Sequence, residues 1–165
     1  MKPIIYKFNP WNFSEFSREM GHLLVDVNVF PPIGIPTKIS FVFDTGAYIT
    51  VLSRLNALRI ELPLTGVYTA NLTGINKERG SDEAEIVVVP KIEIGKFIME
   101  DVKILVPLEE IEVPEVIGEN VLEYFSFVLD HDLDYIYFAK NNNPKPYINL
   151  DKGVDLSCGK VLTQE

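Results

Sequence analysis

The sequence predicts an all-β domain, and three observations carry that expectation. Apolar residues recur with period two over several short runs. Turn-forming prolines and glycines separate those runs, and only two brief stretches have helical character. Such a succession of short strands implies a β-sheet that is closed on itself or sandwiched, since each strand has one apolar face to bury.

The elements follow in order. Leu23, Val25, Val27 and Val29 alternate with Leu24, Asp26 and Asn28, the pattern of a half-buried strand. Pro31, Pro32, Gly34 and Pro36 make a loop, because proline cannot donate to a ladder. Ile39, Phe41 and Phe43 share the face of a second strand opposite Ser40 and Val42. Ile86 to Val89, then Ile92 and Ile94, predict a further strand, which Pro90 is expected to interrupt or to confine to an edge. Gly95-Lys96 predicts a hairpin turn into Val102, Ile104 and Val106, which alternate with Lys103 and Leu105. The polar stretch Asp130 to Asp134 leads into the β-rich run Tyr135 to Phe138. Ser53 is placed to cap a short helix presenting Leu55 and Leu58, and Asn120 to start another presenting Val121, Leu122 and Phe125. Residues 1–22, aromatic and polar without a clear period, read as an N-terminal extension. Asn141 to Pro146 reads as a linker into a tail over 141–165. The 165 residues are expected to form one domain with its core at about 23–138.

Composition narrows the function. Lys plus Arg number 15 against 24 Asp plus Glu, a formal charge of −9. That balance disfavours nucleic acid and anionic lipid as partners, because neutralising phosphates takes clustered cations. Cys158 is the one cysteine, so no internal disulfide and no C-x-x-C metal spacing is available. No apolar run approaches the ~20 residues of a membrane span, and no apolar leader follows Met1, so a soluble, cytoplasmic protein is expected. Asp130-His131-Asp132-Leu133-Asp134 alternates carboxylates as a calcium loop does, but Tyr135 and Asn141 stand where that loop needs glycine and glutamate. It reads as a solvated turn. His22 and His131 lie far apart with no matched ligands, so neither metal nor cofactor is expected. Glu109 to Glu119 reads as an exposed acidic connection.

The chemistry concentrates in FVFDTGAYITVLS, Phe41 to Ser53. Asp-Thr-Gly alone is weak, since aspartate is a common turn former. Here, however, the aspartate follows Phe41-Val42-Phe43 and so emerges from the core, and Thr50-Val51-Leu52 returns at once to strand character. About 70 residues downstream, Val116 and Ile117 meet Gly118 ahead of a short helix, in EVIGENVL.

This pairing resembles the retropepsin-like aspartic proteases, the single-domain relatives of pepsin. Their pattern is two apolar residues, Asp-Thr-Gly-Ala, a Thr or Ser three residues on, two more apolar residues, and later two apolar residues with Gly before a helix. The matching segments are VFDTGAYITVL and VIGENVL, within a resemblance covering about residues 23–138. The resemblance implies a closed barrel with one or two short helices and a β-hairpin flap, with Asp44 as the catalytic carboxyl. It further implies that the Thr45 hydroxyl crosses to a second subunit, that Gly46 and Ala47 complete the active-site loop, and that Val116, Ile117 and Gly118 pack beneath it and line the cleft. The flap falls between Val67 and Val89, with VYTANL and AEIVVV as arms and the stretch from Thr73-Gly74-Ile75 to Gly80-Ser81 as the tip.

One Asp-Thr-Gly occurs in the chain, whereas the aspartic-protease mechanism uses two carboxyls that share a proton because both cannot ionise cheaply at close range. The partner must then be Asp44 of a second copy on a twofold axis, and the family's members are homodimers acting on peptides. Dimerisation doubles the negative charge, which salt screens beyond a Debye length of ~8 Å. Tyr48 departs from the small or polar residue common after Asp-Thr-Gly-Ala. The alternatives are a catalytically silent dimeric peptide-binding or regulatory module on the same fold, and a monomeric barrel holding a small apolar ligand.

Overall fold

The computed structural model describes residues 13–19, 21–73, 81–141, 148–149, 154–155 and 161–163. Among them the chain forms twelve strands and two short helices: β1 (Phe13–Glu19), β2 (His22–Phe30), β3 (Thr37–Phe43), α1 (Arg54–Arg59), β4 (Ala70–Thr73), β5 (Ser81–Ile94), β6 (Phe97–Pro107), β7 (Val116–Ile117), α2 (Glu119–Leu122), β8 (Phe125–Asp130), β9 (Tyr135–Lys140), β10 (Ile148–Asn149), β11 (Val154–Asp155) and β12 (Val161–Thr163). The all-β expectation holds. No described helix is long and apolar enough to cross a membrane.

The main sheet runs β12-β6-β5-β2-β1-β9-β8, with β3 added to β2, β4 to β5 and β7 to β3; β10 and β11 pair separately. Two strands divide their length between partners. β2 pairs with β1 through His22–Val25 and with β5 through Val27–Phe30, while β3 pairs with Leu24–Val29. β5 pairs with β4 at Ser81–Ala84 and with β2 at Lys91–Ile94, and with β6 along most of its length. Sharing of this kind bends a sheet back on itself, so that one face becomes an interior.

The expected closed barrel is corrected in one respect. The path ends at β12 and β8, which do not pair with each other among the described residues. Between β7 and β6 the connection is made by isolated bridges of Val51 to Val116 and to Leu105 rather than by a strand ladder. Side-chain packing completes the enclosure. Val25, Val27, Phe41, Val89, Ile104 and Phe138 belong to one buried cluster that draws on strands across the sheet. Its aromatic centre joins Phe97 to Phe125 at 4.9 Å and Phe125 to Phe138 at 5.7 Å between centroids. A void against Val27, Phe41, Thr50, Leu52 and Ile117 amounts to about 10 Å³, about one water-sized sphere, so that void cannot house an organic ligand.

Pro90 neither breaks β5 nor lies at its end. It falls where β5 passes from β4 to β2 as neighbour, so its missing N–H costs no bond to either. Opposite it stands Asp101 with φ of +51°. The buried positions change parity there in both strands, from Val87 and Val89 to Ile92 and Ile94, and from Phe97 and Met99 to Val102 and Ile104. The Gly95-Lys96 turn is as predicted: Ile94 pairs with Phe97, and Gly95 takes φ of +57°, the positive angle a two-residue type II′ hairpin places at its first central residue.

Other elements differ from expectation. Part of the stretch read as an irregular extension is β1, paired to both β2 and β9. Flanked on both edges, it is held by main-chain bonds, and Phe16 is buried while Glu15 and Ser17 are exposed. Helix α1 has Ser53 as its cap, whose Oγ accepts from the Asn56 N–H, but it buries Ala57 and leaves Leu55 and Leu58 outward at 62% and 51% exposure. Asn120 does not start α2: Gly118 is the cap residue and Asn120 lies inside the helix, fully buried. The Asp130 turn is closed by its own carboxylate, which accepts from the Asp132 and Leu133 N–H groups. The tail contributes β12 to the edge of β6; the Asn141–Pro146 linker lies largely outside the described residues.

Truncating Phe138, which is 1% exposed and meets the rings of Phe43, Phe97 and Phe125, is expected to cost about 3–5 kcal/mol. Urea denaturation of Phe138→Ala measures it.

Candidate active site

The Asp44 loop is built where β3 runs out. Val42 and Phe43 pair in parallel with Val116 and Ile117 of β7. The Val42 N–H donates to the Glu115 carbonyl at 2.8 Å and the Asp44 N–H to the Ile117 carbonyl at 3.2 Å. Asp44 is therefore still tied to the sheet as the chain leaves β3. The chain then turns, with the Ala47 N–H returning to the Asp44 carbonyl at 3.3 Å and the Gly46 N–H donating to Asp44 Oδ1 at 2.8 Å. That last bond fixes the rotation of the carboxyl group from within its own loop. Asp44 is half-buried, Thr45 and Gly46 are exposed, Ala47 is half-buried, and Tyr48 points outward at 69% exposure.

Beneath the loop the backbone crosses itself. The Glu119 N–H donates to the Ala47 carbonyl at 2.8 Å and the Asn120 N–H to the Tyr48 carbonyl at 3.2 Å. A Cβ placed on Gly118 would lie 2.6 Å from the Ile49 carbonyl carbon, 2.7 Å from its oxygen and 2.8 Å from the Ala47 oxygen. Only a residue without a side chain permits the two stretches of main chain to lie this close.

A buried polar network locks the crossing. Asn120 Oδ1 accepts from the Thr50 N–H at 2.8 Å and from Thr50 Oγ1 at 2.9 Å. The same hydroxyl accepts from the Gly118 N–H at 3.2 Å, and Asn120 Nδ2 donates to the Lys103 carbonyl at 2.8 Å. Thr50 and Asn120 are 2% and 0% exposed, and their polar groups are matched as burial demands. The main chain adds bonds from the Val51 N–H to the Val116 carbonyl and from the Leu105 N–H to the Thr50 carbonyl, at 2.8 and 2.9 Å. Glu115 accepts from Ser53 Oγ and Asn56 Nδ2, tying α1 to the approach to β7.

A second apolar cluster lies beside the loop. Ile49 and Val51 pack with Leu72 of β4, Ala84 of β5, Leu105 and Val116, and Ala47 lies against them. The site thus combines one oriented carboxyl and a tightly held loop with a buried apolar cluster behind it. Glu119 borders the loop, and burial pushes its carboxyl above the ordinary range.

Of the residues singled out in the sequence, the structure brings Asp44, Thr45, Gly46 and Ala47 together with Val116, Ile117 and Gly118. The two apolar residues part company, however: Val116 joins the cluster beside the loop, and Ile117 enters the main core. β4 and β5 pair from Ala70 opposite Ala84 to Thr73 opposite Ser81, so Thr73 and Ser81, read as part of the tip, belong to the strand ladder; Gly74, Ile75 and Gly80 lie outside the described residues. Sequence reasoning misses Asn120 and the clamp role of Thr50. Thr50 is a lone polar residue in an apolar run, Ile49-Thr50-Val51-Leu52, which is a signal of a buried hydrogen-bonded group; Asn120 follows Glu119 and carries no such signal.

Gly118→Ala is expected to cost about 3 kcal/mol or more, because the obstructing atoms are main chain and cannot swing aside. Thermal and urea denaturation of the variant check this, with an unchanged midpoint as the contrary result.

The chain matches the aspartyl protease family over residues 33–121, more than half its length. It is similar to the crystal structure of a retropepsin-like aspartic protease from Rickettsia conorii, with 25% identity and a TM-score of 0.57, over 76% of this chain and 87% of that one. No curated protein matches it. The aspartate at the end of β3, the loop it opens and the glycine crossing beneath all fall inside the matched span, and the chain belongs to the aspartyl protease family, among its retropepsin-like members.

Proposed function

We propose that the protein is a homodimeric aspartic endopeptidase whose catalytic centre is completed by Asp44 from each of two copies. The observation that carries this is the Asp44 loop itself: a half-buried carboxyl, oriented by the Gly46 N–H and set on a backbone that the Gly118 crossing immobilises. A loop that served only to turn the chain has no need of such support.

Two Asp44 carboxyls across a twofold axis cannot both ionise cheaply, so they hold one proton between them. The ionised carboxylate takes a proton from a water molecule as its oxygen attacks the peptide carbonyl carbon. The protonated carboxyl gives its proton to the carbonyl oxygen. Collapse of the tetrahedral species breaks the C–N bond, the departing nitrogen receiving the proton taken from water. One hydroxyl of the tetrahedral carbon returns its proton to the other carboxylate, which leaves the new carboxylic acid and restores the pair with one proton. The chain's own groups supply the rest: Thr45, exposed in the single chain, braces the opposite loop, and the buried cluster of Ile49, Leu72 and Val116 backs the loop from within the fold. The β4–β5 hairpin acts as the flap over the cleft. The family membership and the likeness to a retropepsin-like protease support the reading.

Asp44→Asn is expected to leave fold and dimer intact and to lower peptide cleavage by about a thousandfold or more. Sedimentation velocity alongside a fluorogenic peptide assay separates the two effects, and undiminished hydrolysis by the variant overturns the proposal. Because one carboxyl of the pair must keep its proton, the rate is expected to fall towards alkaline pH; a kcat still climbing at about pH 9 is incompatible with a shared proton.

A further inference from the structure

Glu85 is a buried carboxylate that the peptide chemistry does not use. It is 1% exposed and lies on β5, one residue beyond the pairing with β4. Donors converge on it from a neighbouring stretch: the Thr65 N–H and Thr65 Oγ1 each reach Oε2 at 2.7 Å, and the Gly66 N–H lies 3.2 Å from both oxygens. Arg54 Nη1, from α1, stands 3.5 Å from Oε1 and donates to the Pro107 carbonyl of β6 at 3.2 Å.

Residues 65–69 form a strap that leads straight into β4, and all five are exposed. Apolar burial therefore does little to hold it. What ties it to β5 is polar: Glu85 at one end, and at the other Thr69, whose N–H donates to the Ala84 carbonyl at 3.0 Å and whose Oγ1 accepts from the Ile86 N–H at 2.6 Å. β4 then places Leu72 in the cluster that contains Ile49 and Val51. We infer that Glu85 is a positioning residue for the Asp44 cleft, holding the strap onto β5 and so setting where β4 and Leu72 stand against the active-site loop. This rests on the reading of Asp44 as catalytic.

The clamp needs the ionised form, which alone accepts from every one of these donors. Burial pushes the Glu85 carboxyl upward, but the Thr65 and Gly66 bonds and the Arg54 charge outweigh it and hold the group below the ordinary range. A lowered value means the stabilisation is complete above the unfolded-state value and is lost only as acid carries the pH down through the folded one. Arg54 is the charged group facing Glu85; the strap contributes neutral donors.

The test uses the full-length chain and a fluorogenic peptide with paired apolar residues at the cleavage point. Glu85→Gln keeps the size but turns an amide towards the Thr65 and Gly66 donors. It is expected to raise KM about tenfold with kcat within about twofold, the pattern of lost uniform binding. In hydrogen exchange, the Thr65, Gly66 and Thr69 amides are expected to exchange about tenfold faster or more, with Val27 and Ile104 unchanged. Thr65→Val removes one donor and gives a smaller shift of the same kind, and serves if Glu85→Gln does not fold; Thr65→Ser keeps the hydroxyl and behaves as wild type. Strap amides exchanging at the wild-type rate in folded Glu85→Gln, or a fall in kcat with KM unmoved, overturns the inference. If the wild-type chain cleaves no peptide, the protease proposal fails separately, and the exchange rates still decide whether Glu85 holds the strap.

Discussion

At Gly118 two stretches of main chain meet with no side chain between them, and the geometry around Asp44 depends on that contact. The approach of Gly118 to Ile49 and Ala47 brings the Glu119 and Asn120 N–H groups onto the carbonyls of Ala47 and Tyr48. It also puts the Gly118 N–H within reach of the Thr50 hydroxyl. A larger residue at 118 would separate the two stretches and leave these donors buried without acceptors, a cost added to the steric one. The carboxyl-bearing loop is thereby fixed by groups several residues away from the carboxyl itself.

The sheet supplies the frame for this crossing. β3 and β7 run side by side with Asp44 leaving at their common end, and the stretch around Val51 returns between β7 and β6. Apolar clusters lie on both sides of this layer: the main core takes Phe43, Leu52 and Ile117, and the smaller cluster takes Ile49, Val51 and Val116. Alternation along a strand sends neighbours to opposite faces, so the same short segments serve both. Rigidity at the site is a product of that double packing.

Much of this is legible from residues alone. The period-two runs place β2 and β3 because one face of each is buried, alternation places the middle of β6, the β-rich run from Tyr135 places β9, and the aspartate following Phe43 marks the loop. β1 is not legible: FSEFSRE carries no period-two apolar run, and main-chain pairing on both edges leaves no trace in side-chain pattern. Pro90 misleads for a related reason. Whether a strand tolerates proline depends on where its neighbours change, which is a property of the sheet. The parity change from Val89 to Ile92 is nevertheless written in the sequence, and it marks the corner. Asn120 and Glu85 escape because a buried polar side chain is recognised by its partners, and theirs are 70 and 20 residues away in Thr50 and Thr65.

Tyr48 combines two properties that rarely coincide. Its carbonyl is held by the Asn120 N–H, while its ring is mostly in solvent, four residues from Asp44. Chemistry at the ring therefore has little leverage on the peptide plane beneath it. A dye installed at that position would sit in solvent beside the Asp44 loop on a hydrogen-bonded anchor, a vantage point for optical reporting on that loop.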